Sequence, residues 1–454
     1  MPDTIAAIAT GEVVSAIGIV RVSGPGAVAA AEAVFRPADG RPMSAHADRL
    51  LVYGRLLDAR GRVLDLCLCT VSRAPHSYTG EDTAELQCHG SPVVLRAALE
   101  ALFAAGARQA GPGEFTKRAF LNGMLDLTEA EAVIDIIEAA TAEAAVNAAG
   151  QLSGALSRRA EQVYSDVVDI ISHFDAVLDY PDEDIEPFEL ASYASRLDAG
   201  AAELRELLAS FERGRVMREG VRAAIVGRPN AGKSSLLNAI LGYDRAIVTA
   251  QPGTTRDTIE EKALLGGVLL RLTDTAGLRE AADEAEREGV RRAFAAAEGA
   301  ELAIAVFDGS EPLSDADAET LAAARAAKRA ICVINKCDLP QVLDAAELTG
   351  FDAVVSLSAR TGEGLEALAS AVAELFPAPA APAGEILTNA RQAEAVGRAL
   401  AALDAARDAL ASGLTPDAVL TEAEDALSAL SELTGRSVRD DVTDRIFSRF
   451  CVGK

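Results

Sequence analysis

The sequence predicts a multidomain chain, part α/β and part all-α. An N-terminal α/β domain comes first, followed by a helical domain into which a doubly wound P-loop domain is inserted. Three observations carry this expectation. Up to about residue 118, β-branched runs alternate with Ala-rich stretches; to about residue 212, apolar residues recur at helical spacing with little Gly or Pro; and from about 219 to 376, apolar strands alternate with helices behind a G-x4-G-K-S motif. A length of 454 residues agrees, since domains run to roughly 100 to 200 residues each.

Taken in order, 18–22 and 63–71 are β-branched runs, 27–35 and 93–105 have helical spacing, and Ser23, Gly24, Pro25 and Gly26 form a turn signal. From 120 to about 212 the pattern is that of long amphipathic helices, broken by the acidic DYPDEDIE at 179–186. The runs 223–226, 268–273, 302–307, 330–334 and 353–357 read as strands of a parallel sheet separated by helices. PAPAAPAG at 377–384 cannot extend a helix and acts as a spacer leading to a final helical segment. Ala-rich helices need partners, so these last helices are expected to pack on the central ones, which makes the P-loop module an insertion. The expected segments are 1–118, 119–215, 216–378 and 379–454.

Composition narrows the function classes. The chain is 50% hydrophobic and 25% charged, ordinary for a folded protein, but only 4% aromatic with no Trp, which argues against base-stacking platforms. Its 43 Lys and Arg against 69 Asp and Glu give a net charge of −26, so general electrostatic adhesion to nucleic acid is disfavoured. Any RNA contact needs a local basic patch or a second protein. Six cysteines are too few for a disulfide framework, and none lies at zinc-binding spacing, which fits a reducing cytoplasm. No signal peptide pattern and no run of about 18 apolar residues is present, so neither secretion nor a membrane span is expected. The terminal CVGK departs from a prenylation box.

Phosphate chemistry is concentrated in 216–378. Gly227 to Ser234 reads GRPNAGKS between an apolar run and the helical SLLNAI. In that setting Asn230, Ala231, Gly232, Lys233, Ser234 and Ser235 are the expected phosphate contacts. Backbone amides and the helix dipole cradle the anion, Lys233 reaches the β- and γ-phosphates, and Ser234 ligates Mg²⁺. Asp274, Thr275, Ala276 and Gly277 close a later strand, where a carboxylate can hold the metal's water and a Gly amide can meet the γ-phosphate; alone, the tetrapeptide is also a plausible turn. Asn335, Lys336 and Asp338 end another strand. Asp338 can accept from N1–H and the 2-amino group of guanine, the Lys336 stem can lie along the base, and Asn335 can brace the P-loop, while Ser358, Ala359 and Arg360 offer backbone amides to guanine O6. GTP and GDP are the expected ligands. Thr255, in GTTRD, is a candidate second Mg²⁺ ligand. Leu278 stands where many small GTPases carry the water-orienting Gln; Glu286 nearby is either the carboxylate that activates this water or part of an exposed acidic helix face.

The elements GRPNAGKSSLLNAI, GTTRD, DTAGLRE, NKCD and SAR resemble Era-like GTPases. Together with DTIAAIAT, GIVRVSGP, YTGEDTAELQCHG, PGEFTKRAFLNG, LDLTEAEAVIDII and the terminal DRIFSRFCVGK, they resemble the MnmE (TrmE) family of tRNA-modifying GTPases over essentially the whole chain. The resemblance implies an N-terminal tetrahydrofolate-binding and dimerisation domain, a helical domain assembled from central and C-terminal segments, and an inserted GTPase domain. It implies a homodimer acting with the flavoprotein MnmG (GidA), in a heterotetramer or larger complex, to add a carboxymethylaminomethyl or aminomethyl group to C5 of the wobble uridine of certain tRNAs. It further implies GTP hydrolysis when K⁺ brings two GTPase domains together, with Asn230, Thr249, Gln251 and Thr254 around K⁺, Ser234 and Thr255 on Mg²⁺, and Glu286 as general base. A cation there does the work of an arginine finger. Arg21, Glu85 and Lys454 would hold a 5,10-methylene- or 5-formyl-tetrahydrofolate, and Cys451 in the tail near the folate is a candidate participant in modification. Two departures stand out: Met124 occupies the place of a Lys in the family's FLNGKxDL, and TGEVVSAIGI replaces a Pro/Gly/Arg-rich loop.

Two other readings share the GTPase motifs. A ribosome-assembly switch would carry a basic RNA-binding appendage, which this sequence lacks, and a folate-binding scaffold with a retained GTPase domain would bind folate without GTP. The flavin step that the resemblance implies would belong to the partner, and no GxGxxG opening a βαβ unit is present in this sequence.

Overall fold

The computed structural model describes residues 3–11, 13–179, 190–243, 261–272, 299–377, 382–437, 440–448 and 450–453. They divide into two compact units, Met1–Ile134 with Gln151–Gly200 and Arg398–Lys454, and Asp135–Gly150 with Ala201–Gly397.

The first unit contains a seven-stranded sheet of β1 (Ile5–Ile8), β2 (Ser15–Ser23), β3 (Phe35–Pro37), β4 (Val52–Leu57), β5 (Val63–Ser72), β6 (Thr83–Gly90) and β7 (Arg108–Gln109), in the order β3-β4-β5-β6-β2-β1-β7. Its pairs are antiparallel except for the short β1–β7 pair. Helices α1 (Ala27–Val34) and α2 (Pro92–Ala104) cover one face, burying Val20, Val22 and Leu86 against Ala31, Leu95 and Leu102. Strand alternation sends Arg21, Glu85 and Thr70 to the other face, where Arg21 pairs with Glu85 and Glu85 with Thr70 across neighbouring strands. Helix α3 (Glu114–Leu121) lies on this second face, its Phe115 buried with Ile5 and Ala7.

Long helices follow. α4 (Leu127–Glu138) starts with a reciprocal cap in which Asp126 Oδ1 accepts from Glu129 N at 2.8 Å and Glu129 Oε2 accepts from Asp126 N at 2.9 Å. Next come α5 (Ala142–Leu152), α6 (Ala155–Asp179) and the 30-residue α7 (Leu190–Glu219), agreeing with the helical periodicity. Helix α7 belongs to the second unit from Ala201 on and leads through Gly220 into that unit's sheet.

There a six-stranded sheet has the order β13-β12-β11-β8-β10-β9. The strands are β8 (Val221–Val226), β9 (Glu261–Leu265), β10 (Val268–Leu272), β11 (Leu302–Asp308), β12 (Arg329–Asn335) and β13 (Ala353–Ser356); all run parallel except the edge strand β9. Helices α8 (Lys233–Tyr243) and α10 (Leu365–Leu375) bury one face of the sheet, and α9 (Asp315–Ala324) the other. This doubly wound sheet explains why the sequence shows near-continuous apolar strands rather than alternation: β11 is buried at every position. The returning chain is pinned to the helices that precede the sheet. Gly384 N donates to Asn147 Oδ1 at 2.8 Å, Leu387 N to Ser210 Oγ at 3.0 Å, and Thr388 Oγ1 to Asp135 at 3.3 Å. A doubly wound domain is thus inserted into helical segments.

The chain ends in α11 (Ala390–Ala411), α12 (Pro416–Thr434) and α13 (Asp440–Phe447). In the first unit α12 packs on α6, and Phe447 and Phe450 are buried with Ala130 and Ile134. Beyond them the tail docks on the N-terminal domain: Val452 bridges to Pro112, and Gly113 N donates to Cys451 O at 3.2 Å. Gly453 has φ +99°, and a Cβ there would stand 2.2 Å from Ile8 O, so only glycine fits.

Candidate nucleotide and folate sites

The C-terminal ends of β8, β12 and β13 carry the loops singled out by their motifs, beside the point where chain order reverses around β8, the usual ligand crevice of an open α/β sheet. β8 stops at Val226 and α8 begins at Lys233, so the intervening loop must turn tightly; Asn230 (φ 63°) and Gly232 (φ 101°) supply left-handed backbone. A Cβ at Gly232 would stand 2.1 Å from Asn335 Nδ2, so the close approach of the two loops requires glycine. Ser234 and Ser235 are exposed in the first turn of α8, where helix amides and dipole favour an anion. Lys233 Nζ donates to Gly227 O at 2.7 Å and Arg228 O at 2.8 Å, and burial lowers its pKa.

Asn335 ends β12 fully buried. Its Nδ2 donates to Ala231 O at 2.8 Å and its Oδ1 accepts from Ala359 N at 3.0 Å, so one side chain spans two loops. Lys336 follows with φ 66°, its ammonium 2.5 Å from Asp308 Oδ2. Burial pushes the Asp308 carboxyl up, but hydrogen bonds from Lys336 and Ser310 outweigh it and the net shift is downward. Asp338 is ion-paired with the exposed Arg360. A hydrogen bond from the buried Ser358, assisted by the charge of Arg360, holds its carboxyl below the usual range.

The motif reading did not include Asp308, Glu311 and Asp317. Arg228, inside the P-loop, is ion-paired with Glu311, and its guanidinium lies 3.5 Å from Asp317 and 3.9 Å from Asp308. Only Asp308 left a sequence signal, as the carboxylate closing an apolar strand. Thr249, Gln251, Thr254, Thr255, Asp274, Thr275, Ala276, Gly277, Glu286 and Lys454 lie outside the described residues.

In the first unit Arg21 Nε donates to Glu85 Oε1 at 2.9 Å, and the guanidinium sits 5.4 Å from the centre of the Tyr78 ring and 5.8 Å from that of Phe115. The Tyr78 hydroxyl is 2.9 Å from Thr116 Oγ1. Thr70 Oγ1, opposite Glu85, is buried without a hydrogen-bond partner. Guanidinium, carboxylate, aromatic faces and an orphaned hydroxyl suit a flat heteroaromatic acid, so the residues present fit a folate. Tyr78, Phe115 and Thr70 are legible only once β2, β5 and β6 are paired. Met124 packs against the neighbouring turn, its Cγ 3.1 Å from where a Gly80 Cβ would be. Cys451 is exposed.

Residues 4–124 match the family described as GTP-binding protein TrmE N-terminus, and residues 127–451 that described as MnmE helical domain. Similar curated proteins are named tRNA modification GTPase MnmE. That of Roseiflexus sp. (strain RS-1) is 45% identical over 470 residues, covering 100% of this chain and 99% of the relative. That of Chloroflexus aurantiacus is 44% identical over 459 residues, covering 100% of both. That of Symbiobacterium thermophilum is 44% identical over 455 residues, covering 100% of this chain and 99% of the relative. With both terminal and helical regions matched and the full length aligned, this chain belongs to the MnmE (TrmE) family of tRNA modification GTPases.

Proposed function

We propose that the chain is a K⁺-activated GTP hydrolase that acts as a cytoplasmic homodimer with the flavoprotein MnmG (GidA) to install a carboxymethylaminomethyl or aminomethyl group on C5 of the wobble uridine of certain tRNAs. The observation that carries the GTP reading is the convergence of Lys233, Asn335 and Asp338 at the C-terminal ends of the parallel strands β8 and β12, which flank β11, with Asn335 bonded to both Ala231 and Ala359. Lys233 would leave its two carbonyl partners for the β- and γ-phosphates, Ser234 would ligate Mg²⁺, and Asp338 would exchange Arg360 for the guanine edge. Asn230, with Thr249, Gln251 and Thr254, would hold K⁺; Thr255 would complete the Mg²⁺ set, and Glu286 would activate water.

By segment, 1–118 would bind tetrahydrofolate and dimerise, 119–215 and 379–454 would form the helical domain, and 216–378 would bind and hydrolyse GTP. The sheet face bearing Arg21 and Glu85 also exposes Ile17, Tyr53 and Leu66, apolar area that supports self-association. Arg21, Glu85 and Lys454 would orient the folate that supplies a one-carbon unit. Among the described residues no helix is long and apolar enough to cross a membrane.

The direct test is GTP hydrolysis in KCl against NaCl at matched ionic strength, followed by tRNA modification with the flavoprotein. Strong stimulation by K⁺ is expected; equal rates would remove the cation from the mechanism. Replacing Cys451 with Ser is expected to spare hydrolysis and abolish modification, and retained modification would release that thiol from any role.

A further inference from the structure

Zinc spacing is absent from the sequence, yet the N-terminal sheet gathers metal-ligating groups from two strands. Leu68 of β5 pairs with Gln87 of β6, so the next residue along each strand brings Cys67 opposite Cys88. Asp65 lies two residues further along β5, on the same face. A carboxylate oxygen of Asp65 and the two Sγ atoms all lie within 4.8 Å of one another. Cys67 and Cys88 are 5% and 2% exposed.

The surroundings are dry on one side and open on the other. Cys67 has Gly54 as its neighbour on β4, and Cys88 has Gly18 on β2. The space left by those glycines is filled by Phe35 and Leu95, whose atoms come within 2.5 Å of where each Cβ would be. At the other end His89 grips Asp65: its backbone N donates to Oδ2 at 2.9 Å, and its Nδ1 is 2.8 Å from Oδ1. The His89 ring is 75% exposed and gives the cluster a route to solvent, whereas the Asp65 side chain is only 10% exposed. Leu66 N also donates to Asp65 Oδ1 at 2.7 Å, so these bonds fix the carboxylate in place beside two buried thiols.

We propose that Asp65, Cys67 and Cys88 form a binding site for a thiophilic divalent cation of the Zn²⁺ class, with its fourth position towards His89 and solvent. Tetrahedral Zn²⁺ sets S and O ligands roughly 3.3 to 3.8 Å apart, which small side-chain rotations would reach from the present spacing. Binding converts two thiols to thiolates and releases two protons per cation, with no change of oxidation state. The ion would cross-link β5 to β6 beneath α2 and stabilise the N-terminal domain.

The test uses the full chain, reduced, stripped of metal and free of nucleotide, titrated with Co²⁺. The expected result is an intense near-ultraviolet thiolate-to-cobalt band that saturates at one equivalent, is bleached by Zn²⁺, and is accompanied by a rise in Tm. Cys67→Ser and Cys88→Ser should each abolish the band, while Cys69→Ser and Cys451→Ser keep it. Since a core serine can unfold the domain, a second readout uses the unsubstituted protein in mild urea, where Zn²⁺ should slow alkylation of Cys67 and Cys88 at least tenfold by mass mapping. Absence of the band, its survival in both core variants, or equal alkylation with and without Zn²⁺ would each overturn the proposal.

Discussion

Asn335 and Ala231 are 104 positions apart, yet the Asn335 amide nitrogen lies 2.8 Å from the Ala231 carbonyl, and the same side chain accepts from Ala359 N at 3.0 Å. The phosphate loop and the loop after β13 are therefore held by one buried side chain. Asn335→Ala would leave an amide and a carbonyl unpartnered, a loss of about 2 to 4 kcal/mol in chemical denaturation. GDP affinity should fall at least tenfold by titration with a fluorescent analogue. Affinity within twofold of the parent would mean that the two loops are positioned independently.

Asp338 is ion-paired with Arg360, and on the proposed GTP reading the guanine edge would compete with Arg360 for that carboxylate. Asp338→Asn replaces an acceptor with a donor; GTP affinity should drop by two orders of magnitude or more, while xanthosine triphosphate, which presents a carbonyl in place of the 2-amino group, should gain. Arg360→Ala should leave specificity intact and change GTP affinity by less than tenfold. Unchanged discrimination in the Asn variant would rule out Asp338 as the base reader.

An ionic network joins the start of the chain to α3. Arg108 holds Glu114 in a two-pronged pair at 2.5 and 2.9 Å, and Arg118 reaches Asp3 at 2.6 Å and Glu81 at 2.9 Å. Burial raises Glu114, but hydrogen bonds from Arg108, Gly111 N and Arg118 overcome it and bring its pKa from 4.5 to about 2. For Asp3 the hydrogen bond from Arg108 is the largest cause of a shift from 3.8 to about 2. Because both values are depressed on folding, their contribution is complete above the unfolded values and is lost as pH falls through about 2. Thermal scans should show declining stability from about pH 5 downwards, and Glu114→Gln should flatten that slope. An identical slope in the Gln variant would assign acid sensitivity elsewhere.

Gly453 fixes the tail through a backbone that other residues resist. Gly453→Ala meets both a φ of +99° and the Ile8 carbonyl, so about 1 to 3 kcal/mol of strain is expected, relieved by release of the tail. Proteolysis of the terminal residues should accelerate and tRNA modification should fall, with K⁺-dependent GTP hydrolysis within twofold of the parent. A matching loss of hydrolysis would contradict a tail that serves only the N-terminal site.

Arg21 and Glu85 supply a test that leaves the nucleotide site untouched. Arg21→Ala removes a cation flanked by Tyr78 and Phe115, and tetrahydrofolate affinity should fall at least tenfold by calorimetry without change in GDP binding. Unaltered folate affinity would move the site elsewhere on the sheet.

By itself the sequence determined the fold class and the phosphate chemistry. GRPNAGKS is contiguous because the tight turn between β8 and α8 is made by neighbouring residues, NKCD because it continues directly from the end of β12, and the buried parallel strands β8, β11 and β12 announce themselves as largely apolar runs. Helices α6 and α7 were equally legible from their apolar spacing. β3, β7 and β9 were not: each is a short strand at or near a sheet edge, with little side-chain pattern to mark it. β6, TAELQCHG, reads as polar because one of its faces meets α2 while the other meets Arg21 and Thr70. Only the tertiary structure decided which distant residues meet. The orphaned Thr70 beside Glu85, the acidic ring around Arg228, the tail docked through Gly453 and the Asp65, Cys67, Cys88 group all depend on strand register or chain return. Register is a collective property of many pairings, which local residue order does not encode.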